Sequence, residues 1–112
     1  ELMSYNTLAH IGDTVPCQVC WVGADKKPID VQNTTATLFH YVDNARTILD
    51  GPNPMVATDQ PYRFVYSFLI PSSVLGQTVY VSFEAELVAD NSLLTDQMSI
   101  YVSDKDTFIK VV

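Results

Sequence analysis

The chain has 112 residues, 47% hydrophobic and 17% charged, with 13 acidic against 6 basic side chains and a net charge of −7. The length suits one domain, residues 1–112, with a core of its own, and the apolar content excludes a disordered chain. Phosphate binding needs clustered cations, and Lys26-Lys27 is the only adjacent pair, so nucleic acid is excluded as the main partner.

Taken in chain order, the dominant signal is period-two alternation between turn clusters. A short strand is expected over residues 2–9. Over residues 13–21, Val15, Cys17, Val19 and Trp21 share one face and Pro16, Gln18 and Cys20 the other. Gly23-Ala24-Asp25 reads as a turn. Over residues 35–42, Ala36, Leu38, His40 and Val42 oppose Thr37, Phe39 and Tyr41. Asp43-Asn44 is the next turn, residues 47–49 a short strand, and Asp50-Gly51-Pro52-Asn53-Pro54 a loop. Over residues 62–70, Tyr62, Phe64, Tyr66, Phe68 and Ile70 alternate with Arg63, Val65, Ser67 and Leu69. Residues 71–76 can hold one helical turn. Over residues 78–88, Val79, Val81, Phe83, Ala85 and Leu87 oppose Tyr80, Ser82, Glu84 and Glu86. After an Asp90-Asn91-Ser92 turn, Met98, Ile100 and Val102 oppose Gln97, Ser99 and Tyr101.

Successive side chains on a strand point to opposite faces, so each run fits a half-buried strand. Short strands at regular spacing bury their apolar faces by packing sheet on sheet. The expected fold is an all-β, immunoglobulin-like antiparallel β-sandwich of about seven to eight strands. Trp21, Phe64, Tyr66, Phe68, Val79, Val81 and Phe83 are the core candidates. No apolar run approaches the roughly 18 to 20 residues that span a bilayer, and the opening residues lack a signal-peptide pattern, so no membrane partner is expected.

The sharpest motif is the C-x-x-C of Cys17 and Cys20. A redox pair wants a cysteine at a helix N-terminus, whereas residues three apart on a strand face opposite sides. A zinc site needs two more ligands, and only His10 and His40 are on offer. The expectation is a buried Cys17 and an outward Cys20, with no partner for an inter-sheet disulfide. His40 is expected to be partly buried and hydrogen-bonded, and Glu84 and Glu86 to form a solvated face. Asp25, Asp30, Asp43, Asp50, Asp90, Asp104 and Asp106 fit turn chemistry, since no spacing resembles a calcium loop. Asn33-Thr34-Thr35 matches a glycosylation acceptor of a kind that arises often by chance. No nucleophile stands beside a base and no glycine-rich loop cradles a phosphate. No catalytic, cofactor-binding or metal residue is therefore assigned, and the chain is expected not to be an enzyme.

Several segments together resemble small immunoglobulin-like proteins of bacteriophage particles. They are Ile11-Gly12-Asp13-Thr14-Val15, Lys27-Pro28-Ile29-Asp30 into Thr34-Thr35-Ala36-Thr37-Leu38, Tyr62-Arg63-Phe64-Val65-Tyr66-Ser67-Phe68, Ile70-Pro71, and Gly76-Gln77-Thr78-Val79-Tyr80-Val81 into Glu84-Ala85-Glu86. The resemblance implies a non-enzymatic virion component acting through protein–protein contacts: capsid decoration or cement, neck or tail. Its partners would be other virion proteins or copies of itself, as a homo-oligomer on a larger assembly located in the virion. The Cys17-Cys20 pair and the apolar ending depart from that pattern. In the ending, residues 107–112, Phe108, Ile109, Val111 and Val112 are candidate interface residues of a terminal strand. Two other classes share the fold: an extracellular or cell-surface adhesion module, and a carbohydrate-binding module whose coplanar aromatic row would be Phe39, Tyr41 and Tyr101.

Overall fold

The alternating runs become strands in the computed structural model, which describes residues 6–60 and 62–103. The strands are β1 (Asn6–His10), β2 (Thr14–Cys20), β3 (Val31–Val42), β4 (Ala45–Pro54), β5 (Val56–Ala57), β6 (Arg63–Leu69), β7 (Thr78–Leu87) and β8 (Leu93–Ser103). The helical turn expected after Pro71 is a three-residue 3-10 turn, Ser72–Val74. Five strands form one sheet in the order β1-β8-β7-β3-β4, and three form the other in the order β2-β6-β5. The two pack as a sandwich, and the all-β expectation holds.

The pairing is antiparallel with one exception. β1 runs parallel to β8, from Asn6 opposite Ser99 to His10 opposite Ser103. Tight hairpins cannot join parallel neighbours, and here nearly the whole chain separates the two strands. Alternation within a strand says nothing of its neighbour's direction, so the sequence held no sign of this pair.

Inward faces follow the alternation closely. β2 alternates exposed and buried throughout, with Val15, Cys17 and Val19 inside. Across from it, Val79, Val81, Phe83 and Ala85 of β7 lie beside Met98, Ile100 and Val102 of β8. Of the seven core candidates, Trp21, Phe68, Val79, Val81 and Phe83 are buried, and Phe64 and Tyr66 are partly buried against the same cluster. Large apolar side chains contribute about 1.5–3 kcal/mol each when fully buried.

The β3–β4 hairpin turns on Asp43 and Asn44, both at positive φ (51° and 65°), between the paired Val42 and Ala45. Two left-handed central residues make a turn whose twist matches that of its strands, and Asn and Asp tolerate that region better than most side chains. The Asp50-Gly51-Pro52-Asn53-Pro54 stretch, expected as a loop, instead completes β4. Register shifts flank Leu38, so β4 carries a bulge there and turn-type residues fit a strand. Gly51 sits at φ +121°, where an added Cβ would lie 2.9 Å from the Ala36 carbonyl oxygen, so only glycine fits.

The register makes a sharp test at two adjacent residues of β7. Phe83 is 3% exposed, and Phe83→Ala is expected to cost about 3–5 kcal/mol in denaturant unfolding. Glu84, half-buried on the opposite face, should cost under about 0.5 kcal/mol as Glu84→Ala. Equal costs would contradict the register.

Candidate functional site

The outer face of the five-stranded sheet carries an aromatic band. Phe39 of β3 lies opposite Ile48 of β4 on one side and Tyr80 of β7 on the other. In the adjoining row Tyr41 lies opposite Arg46, and Tyr101 of β8 lies between Thr78 and Leu8. The band touches all five strands, about 19 Å at the usual spacing between neighbours.

At its centre Phe39 is only 2% exposed although it lies outside the inter-sheet core cluster. Tyr80 stacks on it, with ring centroids 5.5 Å apart at 26°. Tyr41 meets both rings edge-on, at 5.7 Å from Phe39 and 5.6 Å from Tyr80. The Arg46 guanidinium covers Phe39 at 4.3 Å from the ring centroid and donates to Ser82 Oγ at 3.2 Å. Aromatic pairs add about 0.5–1.5 kcal/mol beyond burial and an exposed cation over a ring about 0.5–1 kcal/mol, so the cluster's own contacts stabilise it. Around it Leu8, Tyr41, Ile48 and Tyr101 remain 47–52% exposed. Such a surface offers apolar contact and ring edges, with no nucleophile or acid–base pair at its centre.

The expected coplanar row of Phe39, Tyr41 and Tyr101 is not formed. Phe39 is covered and Tyr41 stands at 82° to it, so the two rings cannot present one flat stacking platform. Tyr80, Ile48 and Arg46 were missing from that row because only strand pairing brings them there. The candidate interface residues Phe108, Ile109, Val111 and Val112 lie outside the described residues, as do Asp104 and Asp106.

The other candidates resolve into structural roles. Cys17 is buried and Cys20 exposed, so the C-x-x-C splits across β2 as expected. Burial pushes the Cys17 thiol from its ordinary 9.0 up to about 11. Among the described residues, no three His, Cys, Asp or Glu side chains gather closely enough to hold a metal ion. His40 is partly buried, with Nδ1 3.0 Å from Gln77 Oε1. Glu86 is more than a solvated carboxylate: its Oε1 accepts from the Asn33 amide at 3.1 Å and the Gln32 amide at 3.4 Å. That bond ties the glycosylation-type asparagine to β7.

Asp25 and Asp90 accept main-chain N–H groups two residues on, at Lys27 and Ser92, which is turn chemistry. Hydrogen bonds from Ser92 hold the Asp90 carboxyl below its usual range.

One trio escaped the sequence reading because it joins the two ends of the described chain. Ser103 Oγ lies 3.2 Å from His10 Nδ1, and Asp13 Oδ2 accepts the main-chain N–H of His10 at 3.1 Å. A serine nucleophile must reach a substrate carbonyl, and Ser103 is 5% exposed. The contact reads as a clamp between β1 and β8.

No family model, curated protein or solved structure matches the chain.

The cysteines provide the test of this geometry. A thiol reagent at pH 8 should titrate Cys20 alone in the folded protein and both thiols after unfolding. The unfolded thiol ionises above about 9 and the folded Cys17 near 11, so this residue lowers stability as pH rises between them and contributes no slope below. Two fast thiols in the native protein would refute the inward placement of Cys17.

Proposed function

We propose that this domain is a non-enzymatic, immunoglobulin-like structural component that works through protein–protein contacts. Its setting is a bacteriophage particle, as capsid decoration, neck or tail, and its partners are other virion proteins or copies of itself. The observation that supports this reading is the outer aromatic band, where Leu8, Tyr41, Ile48 and Tyr101 stand about half exposed around the packed Phe39–Tyr80–Arg46 cluster. Tyrosine and arginine beside exposed aliphatic groups suit the centre of a protein interface. The particle setting rests on the segments that resemble phage immunoglobulin-like proteins. The apolar ending with Phe108, Ile109, Val111 and Val112 supplies a second candidate contact.

Tyr41→Asp and Ile48→Asp place a charge in the band without emptying the core. Each should weaken self-association or particle binding at least about tenfold in sedimentation, with the thermal midpoint nearly unchanged. Truncation after Asp106 tests the ending in the same assay: a contact segment is lost without loss of fold. If both band variants and the truncated chain assemble as the parent does, the proposal falls.

A further inference from the structure

The outer face of the five-stranded sheet changes character along its strands. Down β7 it runs from Tyr80 through Ser82 to Glu84 and Glu86, with Thr35 and Thr95 on either side of Glu84. At strand rise the two glutamates lie about 14 Å and about 20 Å from Tyr80. Neutral amides of Gln32 and Asn33 hold Glu86, so its charge is bound but not cancelled. Past the other end of the aromatic band, Asp43 stands exposed in the β3–β4 turn, two residues beyond Tyr41.

Cations are placed elsewhere. Among the described residues they are Lys26, Lys27, Arg46 and Arg63. Arg46 is engaged with Phe39 and Ser82, and Arg63 belongs to the other sheet. The two lysines share the β2–β3 loop with Asp25 and Asp30. The face therefore offers apolar contact at its centre and carboxylates toward both ends.

We infer that the partner of this face is a protein surface that sets lysine or arginine around exposed aliphatic side chains, and is not a second copy of this chain. The inference rests on the proposed contact role of the band and names the chemistry of the other side. Charge complementarity carries it. Opposite charges at the rim of an apolar contact speed encounter and fix register, and like charges placed there suppress wrong partners. A second copy fails by the same rule. Closed dimers pair one patch with itself about a two-fold axis. With the axis along the strands, the two glutamate ends meet. With the axis across them, a glutamate end meets a hairpin end. Either way acid faces acid, between chains of net charge −7.

Amide shifts of the isotope-labelled full chain test this, with a short peptide alternating leucine and lysine as the probe. Leucine–glutamate and serine–lysine peptides are the comparisons. The probe should shift amides of Phe39, Tyr41, Ile48, Tyr80 and Glu84, and bind at least about tenfold more tightly than either comparison. Glu84→Gln combined with Asp43→Asn should weaken it at least about threefold, and so should salt raised from about 0.05 M to about 0.5 M. Sedimentation should show the chain alone as a monomer. Binding that ignores these charges, or self-association that Tyr41→Ser abolishes, would overturn the inference and leave the contact role of the band standing. Probe binding that shifts only amides elsewhere, or that survives both Tyr41→Ser and Ile48→Ser, would overturn the inference and count against the band itself.

Discussion

Leu38 and Phe39 are neighbours in β3, both are buried, and they face opposite sides of the sheet. The rest of the structure depends on that pair. Leu38 lies opposite Val81 of β7 and joins the inter-sheet core. Once it does, period two forces Phe39 outward, opposite Tyr80. A large ring there must leave water by some other route, and Tyr41, Tyr80 and Arg46 supply the cover. The sheet therefore has two apolar faces: one closed by the second sheet, the other capped by its own side chains and rimmed with exposed Tyr41, Ile48 and Tyr101.

Where a strand is regular and one face is polar, the sequence is a sufficient guide. β2 reads directly as buried Val15, Cys17 and Val19 between exposed Thr14, Pro16, Gln18 and Cys20, which also separates the two cysteines. The inward set of β7 and the Met98-Ile100-Val102 set of β8 are equally plain. Irregularity hides the rest. β3 begins at Val31, four residues before its alternation becomes legible, because a register shift between Gln32 and Thr35, with Asn33 at φ +55°, breaks the pattern. β4 is hidden by residues that usually mark turns, since a bulged edge strand accepts Gly51, Pro52 and Pro54 where a central strand would not.

The candidate site was partly legible for a related reason. Phe39, Tyr41 and Tyr101 stand out as aromatics on the non-core side of their strands, and composition alone suggests a platform. Whether three rings lie flat depends on side-chain angles set by neighbours. Tyr80 stacks under Phe39 and turns Tyr41 edge-on, and Tyr80 comes from a strand some forty residues on. The clamp of His10 and Ser103 is a sharper case, because it needs the parallel β1–β8 pair, for which no local pattern exists.

Edges and faces offer different routes to assembly, and this molecule treats them differently. Open edge strands pair with other chains unless proline, bulges or charge blunt them. β2 carries Pro16 in the middle of its run, and β4 carries a bulge, Gly51, Pro52 and Pro54 along its second half. These two of the four edge strands among the described residues are thus poor templates for extending a sheet. At the centre of the outer face Arg46 sits over Phe39 and bonds Ser82, so that cation is engaged with the ring and the sheet. A chain of net charge −7 resists indiscriminate association through its acidic surface. On the proposed function, contact through the band favours a partner that matches its shape closely enough to displace water from Tyr41, Ile48 and Tyr101. A fixed, specific junction satisfies that condition better than open-ended growth from a strand edge.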